Sequence, residues 1–205
     1  MPAMEATIPA TARGRATRDR IVEGATALMV ARGVARTSLD DVRDEAGVSK
    51  SQLYHYFTDK DDLVHAVIDR TIEAVLGAQP ALADLCSWPA IEGWLTDLVT
   101  LQVERKAAGG CPIGGLAYEL ADRDPAARRL LADGYARWEA PLRAGLEAMR
   151  QRGDLRADAD PARLATATLA SIQGGLLLSR TRRDPGQLRI ALDAAFAHLR
   201  QAATT

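Results

Sequence analysis

Between Lys50 and Lys60 the sequence K-S-Q-L-Y-H-Y-F-T-D-K concentrates side chains able to recognise nucleic acid. On a helix, Leu53 and Phe57 share one side, while Lys50, Ser51, Gln52, Tyr54 and His55 lie on the accessible sides. Glutamine can pair with an adenine edge, serine can donate or accept, and lysine, tyrosine and histidine can reach phosphates or bases. Other chemistry is poorly represented. His55, His65 and His198 lie far apart, and there is no H-E-x-x-H, paired C-x-x-C or G-x-S-x-G. The glycine-rich stretch Gly109-Gly110-Cys111-Pro112-Ile113-Gly114-Gly115 has no following G-K-[S/T] and is not a nucleotide-phosphate loop. No metal, cofactor or catalytic set is expected, although residues distant in sequence can still assemble a site in space.

The elements that must position these residues are helices. An amphipathic pattern over about Thr17 to Arg32 places Ile21, Ala25, Leu28 and Met29 on one face and stops at Gly33. Ser38 and Asp41 have capping-box spacing for a second helix with the stripe Leu39, Val42 and Ala46, ending at Gly47. Ser49, with Gln52 three residues on, opens a third short helix. Two short helices around the turn Gly47-Val48-Ser49 form a helix-turn-helix, whose second helix presents its N-terminal side chains to the major groove.

Residues 37–60, T-S-L-D-D-V-R-D-E-A-G-V-S-K-S-Q-L-Y-H-Y-F-T-D-K, preceded by the R-x-R-I of Arg18 to Ile21, resemble the TetR family of transcriptional regulators. The resemblance implies a dimeric, ligand-responsive repressor that binds a palindromic operator in double-stranded DNA. It implies that Tyr54 and Lys60, with Thr37 and Thr17, grip the phosphate backbone, and that Lys50, Ser51, Gln52 and His55 face the groove. Arg43 can serve either role. Met29 and Val34 stand where the family commonly has aromatic residues, a departure that bears on packing.

Bland alternatives stand beside these assignments. Tyr56 and Phe57 are core or DNA-facing, and large aromatics mostly bury. Lys60 is a phosphate ligand or a solvated first-turn residue. Arg13, Arg15, Arg18 and Arg20 follow a groove or belong to a solvated tail.

The expected organisation is all-α: a flexible arm over 1–16, a three-helix DNA-binding domain over 17–60, and a helical ligand-binding and dimerisation domain over 61–205. A fourth helix from Asp59 to Gly77 is followed by helices near Pro89–Ala107, Pro112–Ala121, Pro125–Arg152, Pro161–Arg182 and Pro185–Ala203. The last two carry the stripes Leu164, Thr168, Ile172, Leu176 and Leu188, Leu192, Phe196, Leu199, expected to build a four-helix dimer bundle. Gly174-Gly175 would permit close helix approach or mark a kink.

Trp88, Trp94, Tyr118, Tyr135 and Trp138 stand out in an aromatic-poor chain and are candidates, with Cys111, to contact an apolar or aromatic effector. Ordinary packing is the alternative for each. The G-C-P-I-G stretch is similar to one in a subgroup related to multidrug- and flavonoid-responsive repressors. Cys111 is either a thiol with lowered pKa near a helix N-terminus, able to sense electrophiles, or a small buried apolar residue.

Among 205 residues, hydrophobic types make up 47% and aromatics 4%, which favours helix and allows a substantial core. The formal net charge of −1 excludes a uniformly basic nucleic-acid binder and confines DNA binding to a local surface. Two cysteines, no signal-peptide pattern and no long apolar run point to a cytoplasmic protein without membrane contact.

Overall fold

The computed structural model describes residues 11–204, and the first ten residues of the expected arm lie outside that range. Nine α-helices follow in order: α1 (Ala12–Arg32), α2 (Leu39–Ala46), α3 (Lys50–Tyr56), α4 (Lys60–Gly77), α5 (Trp88–Glu104), α6 (Pro112–Leu120), α7 (Pro125–Arg152), α8 (Pro161–Arg182) and α9 (Gly186–Arg200). A single 3-10 turn, Pro80–Ala83, separates α4 from α5. The described chain is all-α, without strands.

Helix α1 starts earlier than the apolar periodicity suggested, so residues 12–16 are helical rather than arm. The Thr11 hydroxyl caps it by accepting from the Gly14 N–H at 3.1 Å. Alanine and arginine then extend the helix without needing an apolar face.

The chain divides into two compact units. The first gathers the described residues up to Val75 with Gly115–Gly134, and the second gathers Leu76–Gly114 with Tyr135 to the C-terminus. The division therefore differs from the boundary expected at residue 60. Leu63, Val64, Val67, Ile68 and Ile72 of α4 are buried, and within their unit the Ile72 side chain packs directly on Gly134 of α7. That apolar stripe needs cover beyond α1, α2 and α3.

In the second unit α8 and α9 form an antiparallel hairpin. Gly175 lets them approach: a Cβ there would lie 2.7 Å from Leu188 Cδ1 and 3.1 Å from Ala191 Cβ. Gly174 is exposed, with nothing within 4 Å of a Cβ, so only one of the two glycines serves close packing. Buried Ser179 reinforces the turn by accepting from the Leu188 N–H at 3.0 Å.

Candidate nucleic-acid interface and effector site

Local hydrogen bonding fixes the helix-turn-helix. At the start of α2 the Ser38 hydroxyl accepts from the Asp41 N–H, and the Asp41 carboxylate accepts from the Ser38 N–H and hydroxyl. Those bonds to Ser38, aided by Arg32 at 3.0 Å, hold the Asp41 carboxyl down at about 2. Gly47 ends α2 in the left-handed region (φ 61°), where glycine carries no Cβ penalty. Val48 is buried behind it, and Ser49 opens α3 by accepting from the Gln52 N–H while Gln52 Oε1 accepts from the Ser49 N–H. Leu53 and Phe57 point into a core containing Ile21, Met29 and Val42. The Arg18 guanidinium lies 5.3 Å from the Phe57 ring centroid and covers its edge of that core.

This arrangement leaves Lys50, Ser51, Gln52, Tyr54 and His55 exposed on one short rigid helix. The Lys50 ammonium sits 5.9 Å from the Tyr54 ring centroid, and the His55 ring packs edge-on against half-buried Tyr56. Gln52 is partly committed, because its amide oxygen already serves the cap. Pairing bidentately with adenine would require that oxygen to accept a second bond or to leave the Ser49 N–H. Arg43 is half-buried and its guanidinium is matched by Asp40 and Asp44, each at 2.7 Å.

Two expected backbone grips are engaged inside the protein. Thr37 is 1% exposed, and its hydroxyl donates to the Gly33 carbonyl at 2.9 Å. It shapes the loop between α1 and α2, where a small hydroxyl residue satisfies a carbonyl beyond the helix end. The Lys60 ammonium donates to the Val34 carbonyl at 2.7 Å and is half-buried, so it braces the same loop rather than merely being solvated. The Thr17 hydroxyl donates to the Arg13 carbonyl within α1.

Comparison with known proteins decides the family. Residues 21–67 match the profile described as "Bacterial regulatory proteins, tetR family", and residues 90–195 match "Tetracyclin repressor-like, C-terminal domain". The chain belongs to the TetR family. It is 27% identical over 191 residues to the HTH-type transcriptional regulator in the lacX 3' region of Lactococcus lactis subsp. lactis, covering 87% of this chain and 91% of that protein. Identity to the HTH-type transcriptional regulator LmrA of Bacillus subtilis is 28% over 171 residues, covering 82% and 88%. A TetR transcriptional regulator from Chloroflexus aurantiacus superposes with a TM-score of 0.80 at 26% identity, covering 94% of this chain and 98% of that one. TetR-family proteins are DNA-binding transcriptional regulators, generally ligand-responsive repressors, and not enzymes. No helix among the described residues is long and apolar enough to cross a membrane.

The aromatic candidates for effector contact do not form one cluster. Trp94 and Trp138 are both buried, and their indole N–H groups donate to the same Gln79 Oε1 at 3.1 and 3.2 Å. Trp94 and Gln79 also line a cleft of about 250 Å³ with Pro80, Leu98 and Leu101. Trp88 instead packs edge-on against Phe196 beneath the Arg200 guanidinium. Tyr118 is 95% exposed and belongs with the first unit, so it lines no enclosed site in this structure. A tyrosine in a nine-residue helix can face either way, and the sequence pattern gave no reason to prefer one.

Cys111 and Tyr135 do converge. A Cβ on Gly114 would lie 3.1 Å from Gln173 Oε1, 3.5 Å from Cys111 Cβ and 3.5 Å from Tyr135 Oη. Burial pushes the Cys111 thiol up, the opposite of the reactive thiolate, and burial with nearby Cys111 pushes Tyr135 up to about 12. Both groups are therefore neutral at physiological pH. The Nε2 atoms of Gln102 and Gln173 are buried without a hydrogen-bond partner. Sequence reasoning missed both glutamines, as it missed Gln79, because a glutamine in an amphipathic helix reads as solvated surface.

The expected dimer residues Leu164, Ile172, Leu176, Leu188, Leu192 and Leu199 are buried inside the protomer, and Phe196 is half-buried against Trp88. The two stripes pack on each other within one hairpin. The opposite faces remain exposed, with Ala167, Ala170, Gly174, Leu177 and Leu178 on α8, and Ile190 and Ala194 on α9.

Proposed function

We propose that this protein is a homodimeric repressor that binds a palindromic operator through α3 and is released by an uncharged small molecule. The supporting observation is the capped helix α3, which exposes Lys50, Ser51, Gln52, Tyr54 and His55 together. One such helix reads only a few base pairs, so two related by a dyad are needed for a specific site. In this reading the exposed apolar faces of α8 and α9, centred on Leu177 and Ile190, form the dimer contact. The arm, DNA-binding and effector regions keep the functional roles assigned above, with α4 joining the DNA-binding part.

The effector reading rests on the turn where Cys111, Gly114, Tyr135 and Gln173 converge, with the buried Gln173 amide as its donor. An unsatisfied buried donor costs about 1–3 kcal/mol, which a ligand carrying acceptor oxygens would recover. Neutral Cys111 and Tyr135 give no counter-charge, so the effector is uncharged and apolar or aromatic in body, in keeping with the subgroup suggested by G-C-P-I-G. It acts by favouring a separation of the recognition helices that misfits the operator.

Selection of fragments from the source genome by the purified protein at low salt, followed by footprinting, tests this function. The expected product is a palindrome whose half-sites are about 10 base pairs apart or a multiple of that. Failure to bind any fragment at low salt would overturn the reading.

A further inference from the structure

We propose that Glu119 is the positioning residue that holds the helix-turn-helix in the conformation that reads DNA; this inference rests on the regulator reading above. Glu119 lies on α6, far in sequence from the DNA-binding helices, yet its two carboxylate oxygens accept from consecutive backbone N–H groups between α1 and α2. Oε2 takes the Val34 N–H at 2.9 Å and Oε1 takes the Ala35 N–H at 2.6 Å. Both donors lie just past the end of α1, where no helical carbonyl is available to them. A carboxylate spanning two N–H groups makes strong charge-assisted bonds and fixes direction as well as distance.

The same peptide segment is held by an opposite charge. Lys60 of α4 donates to the Val34 carbonyl at 2.7 Å, and the Thr37 N–H donates to that carbonyl at 3.2 Å. Thr37 is followed directly by Ser38, the cap of α2. A displacement of Val34 therefore moves the start of α2 and, through the tight Gly47 turn, α3. The loop is pinned by one residue from α4 and one from α6.

The test compares wild type, Glu119→Gln and Glu119→Ala on two duplexes: one recovered from the source genome by the wild type, and one of random sequence. Glu119→Ala should bind the recovered duplex at least tenfold more weakly and the random duplex within twofold of wild type. Glu119→Gln, which retains one acceptor, should fall between. Unchanged affinity for the recovered duplex would overturn the inference while leaving the regulator reading intact. Equal losses on both duplexes would overturn it as well, showing a general folding defect. If the wild type recovers no duplex, the regulator reading fails and takes the inference with it. Amide exchange on the wild type keeps the proposal testable should the variants not fold. The Val34 and Ala35 amides should exchange at least tenfold more slowly than exposed loop amides, and exchange at the unprotected rate would refute the clamp.

Discussion

Gln79 accepts two indole N–H bonds on one oxygen, and replacing it with leucine should be among the most damaging single changes in the second unit. Trp94 and Trp138 are each 2% exposed, so neither N–H can turn to water when the acceptor is lost. A buried donor left unsatisfied costs about 1–3 kcal/mol, and two orphaned together cost about 4 kcal/mol at the centre of that range. For a chain of this length, each kcal/mol shifts the melting temperature by about 2–4 °C. Gln79→Leu should therefore melt about 8–16 °C below wild type when followed by circular dichroism and tryptophan fluorescence. Trp138→Phe should cost less in the Gln79→Leu background than in the wild type, because it removes a donor that is already orphaned. The two changes should couple by about 1 kcal/mol. A Gln79→Leu melting temperature within 2 °C of wild type, or strict additivity with Trp138→Phe, would refute this account.

Other outcomes follow from particular contacts. Asp41 titrates near 2 in the folded chain and near its ordinary 3.8 when unfolded. Its contribution is thus present above the unfolded value and lost as pH falls through the folded one. The melting-temperature gap between wild type and Asp41→Asn should be constant above about pH 5 and close by about pH 2. Ser49→Ala should lower stability by about 0.5–2 kcal/mol in urea titration, since it removes the α3 cap. Gly175→Ala should destabilise by about 1–3 kcal/mol because Leu188 and Ala191 crowd its Cβ position. Gly174→Ala should instead stabilise by up to about 1 kcal/mol, and thermal melts would separate the two. Cys111 should react with iodoacetamide more slowly at pH 7 than a free thiol, given that its burial disfavours the thiolate.

The parts of the molecule legible in the sequence are those set by local chemistry. Ser38 with Asp41 and Ser49 with Gln52 announce their helix starts because a cap is formed by residues three apart. Gly47 announces the turn for a similar reason. Periodicity located the α8 and α9 stripes but could not say what they pack against. An apolar stripe that meets its partner within one hairpin looks the same as one that meets a second copy. Thr37 and Lys60 show a related limit: the motif marks both as important, and only the structure reveals the carbonyl that each satisfies in the α1–α2 loop. Glu119, Gln79, Gln102 and Gln173 had no local signal at all, since each acquires its meaning from residues distant along the chain or from its burial.

The charge pattern around α3 bears on how this protein discriminates among DNA sequences. Much of the cationic chemistry nearby is neutralised or engaged within the protein: Arg43 meets Asp40 and Asp44, Arg32 meets Asp41, and Lys60 meets a carbonyl. Non-specific affinity depends on how many phosphates are neutralised, with a salt slope of about 0.9 per contact on B-DNA. With Arg32 and Arg43 paired and Lys60 engaged, this surface should bind random duplex more weakly, and with a shallower slope, than one in which all three cations were free. Its neutral donors, Ser51, Gln52 and Tyr54, still contribute to positioning and base recognition. Asp40→Asn with Asp44→Asn would release Arg43 and provide the contrast. The double variant should bind random duplex more tightly, with a slope steeper by about one per protomer, and should lose discrimination between operator and random sequence. An unchanged slope would mean that Arg43 does not approach phosphate even when its carboxylates are removed, leaving Asp40 and Asp44 as ordinary solvated charges.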